Sequence, residues 1–127
     1  MISLSKEQIK RLHENMIIST GGSDGIRDES LLESALSAPN QTFDGMELYP
    51  SVMAKIARIT YSLVCNHPFV DGNKRVGTYV MLVLLELNHI EADFTDSDII
   101  RIGLELASGE MDYKQLFDLI LERIKYV

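Results

Sequence analysis

The sequence predicts an all-α fold, a compact six-helix bundle. Three observations predict it: apolar residues recur at helical spacing along most of the chain, strand-type alternation is nearly absent, and helix-start and helix-stop residues bracket each apolar stripe. Ser5 caps the first helix while Gln8, the third helical residue, reaches back to it, and Ile9, Leu12 and Met16 form the buried stripe. That helix ends before Gly21-Gly22. Asp28 opens a short second helix that turns Leu31, Leu32, Ala35 and Leu36 inward and stops at Pro39, which cannot continue it. Pro50 suits the first turn of a third helix running to about Asn66, with Val52, Ile56, Ile59 and Leu63 on its buried face. The fourth runs from near Asn73 to about Asn88. Val76, Val80, Val83, Leu84 and Leu87 make one face, and Tyr79, Met81, Leu82 and Leu85 cover others, which predicts a central rod buried on most sides. Thr95 with Asp98 repeats the capping logic for a fifth helix ending near Gly109. Asp112 opens a sixth through Leu116, Phe117, Ile120, Leu121 and Ile124.

With 127 residues, 46% of them hydrophobic, the chain fits a single domain over residues 1–127 that buries a core without disulfide or structural metal. The only cysteine, Cys65, has no disulfide partner and lies in an apolar run, so it is expected to pack as a small hydrophobe in a reducing cytoplasm. The N-terminus lacks the apolar stretch of a signal peptide, and the longest apolar run, Tyr79 to Leu85, is too short to span a bilayer. A soluble, cytoplasmic chain without a membrane partner is expected.

Nineteen acidic residues against twelve basic give a net charge of −7 and a pI near 4.8. That balance opposes direct nucleic-acid binding, which draws on counterion release by clustered cations. It also repels nucleotides, so a nucleotide site here must be locally positive or use a divalent cation.

Positive charge does cluster, at His67-Pro68-Phe69-Val70-Asp71-Gly72-Asn73-Lys74-Arg75, between the third and fourth helices. Pro68 disfavours the α conformation at His67 and so ends the third helix there. Gly72 permits a tight bend and a close approach of ligand to backbone. The amides after it open the fourth helix, where free N–H groups and the helix dipole attract anions. Lys74 and Arg75 oppose the dipole's preference for acidic residues at a helix start, so an anionic ligand explains them better than helix stability does. Singly, each residue has a plain reading: a capping histidine, an Asp-Gly turn, an Asn cap, a solvated Lys-Arg face. Together within nine residues they read as a functional site.

This run resembles the signature of the Fic/Doc superfamily, in particular its death-on-curing toxin branch. Gly21-Gly22, Gly25-Ile26-Arg27-Asp28, Leu31 to Leu36 and Phe43 to Pro50 are similar to that branch as well. The resemblance implies a helical bundle of the Fic/Doc type with a short flap, Ala38 to Leu48, between the second and third helices, which docks the target backbone. It implies His67 as the general base that takes a proton from a hydroxyl of a target protein. Asp71 would hold Mg²⁺ against the phosphates of ATP, and Gly72, Asn73, Lys74 and Arg75 would bind those phosphates. Phe69 would anchor the loop in the core.

Adenylylating Fic enzymes read Gly-Asn-Gly-Arg followed three residues later by a second Arg; Lys74 and Thr78 depart from that pattern. The death-on-curing branch has Asn-Lys-Arg here and resembles a kinase that binds the nucleotide in the opposite sense. The implied reaction is γ-phosphoryl transfer to a hydroxyl, with a translation factor such as elongation factor Tu as target and growth arrest as result. AMP transfer is the alternative, since Asp71-Gly72 fits the Fic pattern. A non-catalytic nucleotide- or partner-binding domain is the alternative of another class, disfavoured because a phosphate binder needs amides and cations but no base. Inhibitory Fic helices carry Ser or Thr, three variable residues, then Glu before Gly or Asn; Glu14-Asn15 has Lys10 at the required Ser/Thr position. The brake is therefore expected in a separate small antitoxin. His13, His67 and His89 are too dispersed for a zinc site, and His13 and His89 are expected at the surface. Met16, Met53, Met81 and Met111 are expected to fill the core.

Overall fold

The computed structural model describes residues 1–125. Six helices account for nearly all regular structure: α1 (Lys6–Thr20), α2 (Glu29–Ser37), α3 (Val52–Asn66), α4 (Asn73–Leu87), α5 (Asp96–Ser108) and α6 (Tyr113–Arg123). The mostly helical bundle is thus as expected. Capping boxes close the starts of α1 (Ser5 with Gln8), α5 (Thr95 with Asp98) and α6 (Asp112 with Gln115). Asp28 caps α2 through the amides of Ser30 and Leu31. Among the described residues no helix is long and apolar enough to cross a membrane.

The core lies where α3, α4, α5 and α6 meet, around Ile56, Ile59, Leu63, Val80, Leu84 and Ile120, each at most 1% exposed. Gly77 lets α3 and α4 approach: a Cβ there would sit 2.5 Å from Val64 Cγ2. Through this contact the loop joining α3 to α4 is held at one end of the bundle, with α1 and the α1–α2 connection packed over it.

Four sequence expectations are corrected. Pro50 precedes the third helix rather than occupying its first turn; Ser51 is the cap, accepting from the Ala54 amide. The fourth helix is less covered than expected, since Tyr79, Leu82 and Leu87 are exposed (47%, 37% and 37%). Cys65 lies at the surface, its Sγ 3.6 Å from the Leu106 carbonyl, although partial burial still pushes its thiol pKa up. His13 is buried, at 1% exposure, and its place is described below. Of the four methionines expected to fill the core, Met81 and Met111 are buried in it and Met16 and Met53, partly buried, pack against the core cluster.

The α2–α3 connection holds a 3₁₀ turn, Ala38–Asn40, and a hairpin of β1 (Thr42–Phe43) with β2 (Met46–Glu47). Asp44 and Gly45 turn it with positive φ of 52° and 77°, the combination that two-residue hairpin loops favour. Lys55 Nζ ties it to α3, donating to the Pro39 carbonyl (3.1 Å) and to Glu47 (2.9 Å).

α5 and α6 are fastened where Arg123 Nε and Nη2 meet the Asp98 carboxylate at 2.8 and 3.2 Å. The arginine, with help from the Thr95 amide, holds the Asp98 carboxyl well below the usual carboxylate range. A carboxyl depressed on folding contributes stability above its unfolded pKa, about 4, and that contribution fades as pH falls through the lower folded value. The melting-temperature advantage of wild type over Asp98→Asn is therefore expected to be full near neutrality and to shrink in acid, as thermal scans across pH would show.

Candidate active site

The chain leaves α3 through a strained residue. His67 takes left-handed angles (φ 52°, ψ 53°), which cost a non-glycine residue roughly 1–2 kcal/mol. Pro68 makes continuation of α3 unfavourable, and Arg27 secures the alternative, Nε donating to the His67 carbonyl (2.7 Å) and Nη2 to that of Asn66 (2.9 Å). One guanidinium thus satisfies two carbonyls at the end of α3. The amides of Arg27 and Asp28 both donate to the Pro68 carbonyl, and Val70 donates to that of Gly25. The α1–α2 loop is a strap laced along the motif.

Inside the motif, Asn73 does the bracing. Buried at 4% exposure, its Oδ1 accepts from the Phe69 amide and its Nδ2 donates to the Phe69 carbonyl, both at 3.0 Å. That pairing fixes which end of the amide faces His67, so the 3.0 Å contact has Asn73 Nδ2 donating to His67 Nδ1. In the resting neutral imidazole the proton therefore sits on Nε2. To accept a proton, the ring must release Asn73 or turn over, and His67, exposed to solvent, has room for either. Phe69, 1% exposed, anchors the loop as expected.

Asp71 is held by two amides, Gly72 N at 2.8 Å and Ser23 N at 3.1 Å. These bonds, with Arg75 nearby, keep its pKa below the ordinary value. Arg75 Nη1 donates to Thr20 Oγ1 (2.6 Å) and the Gly21 carbonyl (3.0 Å), and Nη2 lies 3.9 Å from Asp71 Oδ2. A Cβ on Gly22 would fall 2.5 Å from Asp71 Oδ2 and 3.0 Å from Arg75 Nη2, so glycine is what lets the strap close over this pair. Lys74 is exposed and makes no ion pair among the described residues.

α4 begins at Gly72 (φ 79°) without a side-chain cap, in contrast to the side-chain caps of the other five helices. Its first amides are thereby left open to an anion. His67 and residues 70–75 line one cleft of about 190 Å³. The structure brings all six sequence-derived site residues into it, with one difference of role: the Asn73 side chain is spent on the loop, which leaves its backbone amide as the group open to a ligand. A second, almost wholly apolar cleft of about 210 Å³ adjoins on the α5 side, where Thr78, Ile99, Ile100 and Leu104 join Lys74 and Arg75.

The first 85 residues decide the family. A model described as "Fic/DOC family" matches residues 3–85. The chain belongs to the Fic/DOC family. It is also 38% identical over 97 residues, 75% of each chain, to a Mycolicibacterium smegmatis protein named "Toxin Doc". The family match spans α1 to α4 and so includes both the motif and the strap. Sequence reading of this Fic/DOC chain missed His13, Thr20, Ser23 and Arg27 as partners of the motif. The glycines around them signalled a special loop, but nothing local tells where a loop will dock 40 residues away.

Proposed function

We propose that this chain is a death-on-curing type toxin that transfers the γ-phosphoryl group of ATP to a hydroxyl of a target protein. The observation that carries the reading is the uncapped start of α4, opening beside Lys74 and Arg75 into the same cleft as His67. Open amides and two cations bind phosphates; a histidine at the edge of that site can accept a proton.

In the reaction, a target hydroxyl oxygen attacks the γ-phosphorus, the bond to the β–γ bridging oxygen breaks, and ADP leaves. The hydroxyl proton passes to His67 once its lone pair is freed from Asn73. Lys74, Arg75 and the first amides of α4 offset the charge that develops on the phosphate oxygens. Asp71 suits Mg²⁺: its carboxylate is ionised and half-exposed at the cleft, and no cluster of three or more ligating side chains occurs among the described residues. A lone carboxylate is what Mg²⁺ uses when phosphates and water complete its shell. Bound there, Mg²⁺ would neutralise phosphate charge.

The apolar cleft on the α5 side supports γ over α transfer. A base seated among Ile99, Ile100 and Leu104 is separated from His67 by the phosphate cradle, which leaves the terminal phosphate nearest the histidine. AMP transfer needs the α-phosphate there instead. Lys74 and Thr78, in place of the Gly and Arg of the adenylylating pattern, agree with this ordering. Mass spectrometry of the modified target distinguishes the two, an added phosphoryl group being expected and an added nucleotide monophosphate reversing the order.

Arg27 bears on the base rather than on the phosphates. Arg27→Ala is expected to lower kcat while leaving ATP affinity near wild type, and Arg27→Lys to recover little, because one ammonium does not reproduce the two-pronged clamp. Steady-state kinetics with calorimetry measure both. Restraint of the activity falls to a separate antitoxin: expression of this chain alone should arrest growth, and co-expression with a neighbouring small gene should relieve it.

A further inference from the structure

His13 is a buried titratable side chain that the mechanism above does not use. Its ring lies flat on Phe69, centroids 3.9 Å apart and planes 7° from parallel. Its Nε2 is 2.7 Å from the Asp71 carbonyl oxygen. A carbonyl only accepts, so Nε2 carries the proton and donates. On the other side of the ring, Nδ1 faces Asp24 Oδ1 at 3.6 Å. Packing alone does not require this residue. Leucine or phenylalanine would fill the same space on α1 without the cost of burying a polar ring.

We infer that His13 is a positioning residue for Asp71, holding the carboxylate in the direction that meets Mg²⁺; the inference rests on the reading of Asp71 given above. Three donors converge on this one residue: His13 on its carbonyl, and Ser23 N and Gly72 N on its carboxylate. The two amides fix where the carboxylate oxygens lie relative to the backbone. His13 fixes that stretch of backbone relative to α1. Stacked on Phe69, it also sets the height of the loop two residues earlier, so one ring registers both the core anchor and the carboxylate. Residues that orient a metal-holding side chain typically change metal affinity by about 10- to 100-fold when lost.

Two variants separate the donor from the ring. His13→Phe keeps a ring on Phe69 and removes the donor; His13→Gln keeps an amide donor at similar reach and removes the ring. Calorimetry measures ATP affinity with Mg²⁺ and with chelator, and circular dichroism establishes that each variant is folded. In His13→Phe, affinity with Mg²⁺ is expected to fall at least tenfold while affinity in chelator stays at the wild-type value. His13→Gln is expected to restore most of the loss. Nitrogen-resolved NMR of wild type should show the His13 proton on Nε2. Wild-type affinity for Mg²⁺ with ATP in folded His13→Phe overturns the inference, as do equal losses with and without Mg²⁺, which mark a structural role only. Should His13→Phe fail to fold, His13→Leu, which also lacks the donor, decides: a loss of affinity confined to Mg²⁺ conditions supports the inference, and a Mg²⁺ response like that of wild type overturns it. ATP binding by wild type that ignores Mg²⁺ removes the metal reading of Asp71 itself and the inference with it.

Discussion

Replacing His67 with alanine is expected to slow group transfer by a factor of about 10² to 10⁴, the range for loss of a positioned general base, with little change in melting temperature. Stability is spared because the imidazole is exposed and because Asn73 keeps both its bonds to Phe69 when the third, to His67, is gone. The left-handed backbone sharpens the expectation. His67→Gly relieves the strain at φ 52° and should raise the melting temperature while being as inactive as alanine. A variant more stable and yet inactive separates a chemical role from a capping one. A His67→Ala protein that still arrests growth and still modifies its target overturns the assignment of the base.

Removal of both cations, Lys74→Ala with Arg75→Ala, is expected to weaken ATP binding by about 10²-fold or more, since hydrogen bonds to charged groups contribute about 1.5–3 kcal/mol each and 1.4 kcal/mol is a factor of ten. The fold should not suffer. Both residues stand in the first turn of α4, where cations oppose the helix dipole, so their loss leaves the helix equally or more stable. Arg75 does forfeit its bonds to Thr20 and Gly21, which lie at the exposed C-terminal end of α1. Unchanged ATP affinity in the folded double variant, measured by calorimetry, would require the phosphate cradle to be placed elsewhere.

The parts of this molecule governed by local rules are legible in its sequence. Ser5 with Gln8, Thr95 with Asp98 and Asp28 announce helix starts because a cap is a contact between residues two or three apart. The hairpin at Asp44-Gly45 was not anticipated, because the two-residue strands beside it are too short to show alternation. What the sequence hides is docking. Nothing in the first helix says that His13 will face a carbonyl 58 positions later; its polar ring suggested the surface, although its place four residues from both Ile9 and Ile17 puts it on the buried face of α1. Cys65 errs the other way: an apolar stretch of sequence does not settle which turn of α3 looks outward. Within the motif the residue types pointed to phosphates and to a base, yet Asn73 serves the loop rather than the ligand through its side chain, a division visible only once Phe69 is seen between its two amide atoms.

The most direct measurement is label transfer from ATP. The purified chain is incubated with Mg²⁺ and a bacterial extract in the presence of ATP labelled at the γ- or the α-phosphorus, beside His67→Ala as control. The account predicts a protein labelled from the γ position only, and no label with His67→Ala. Label arriving from the α position, or none from either with folded wild-type chain that binds ATP, would contradict it.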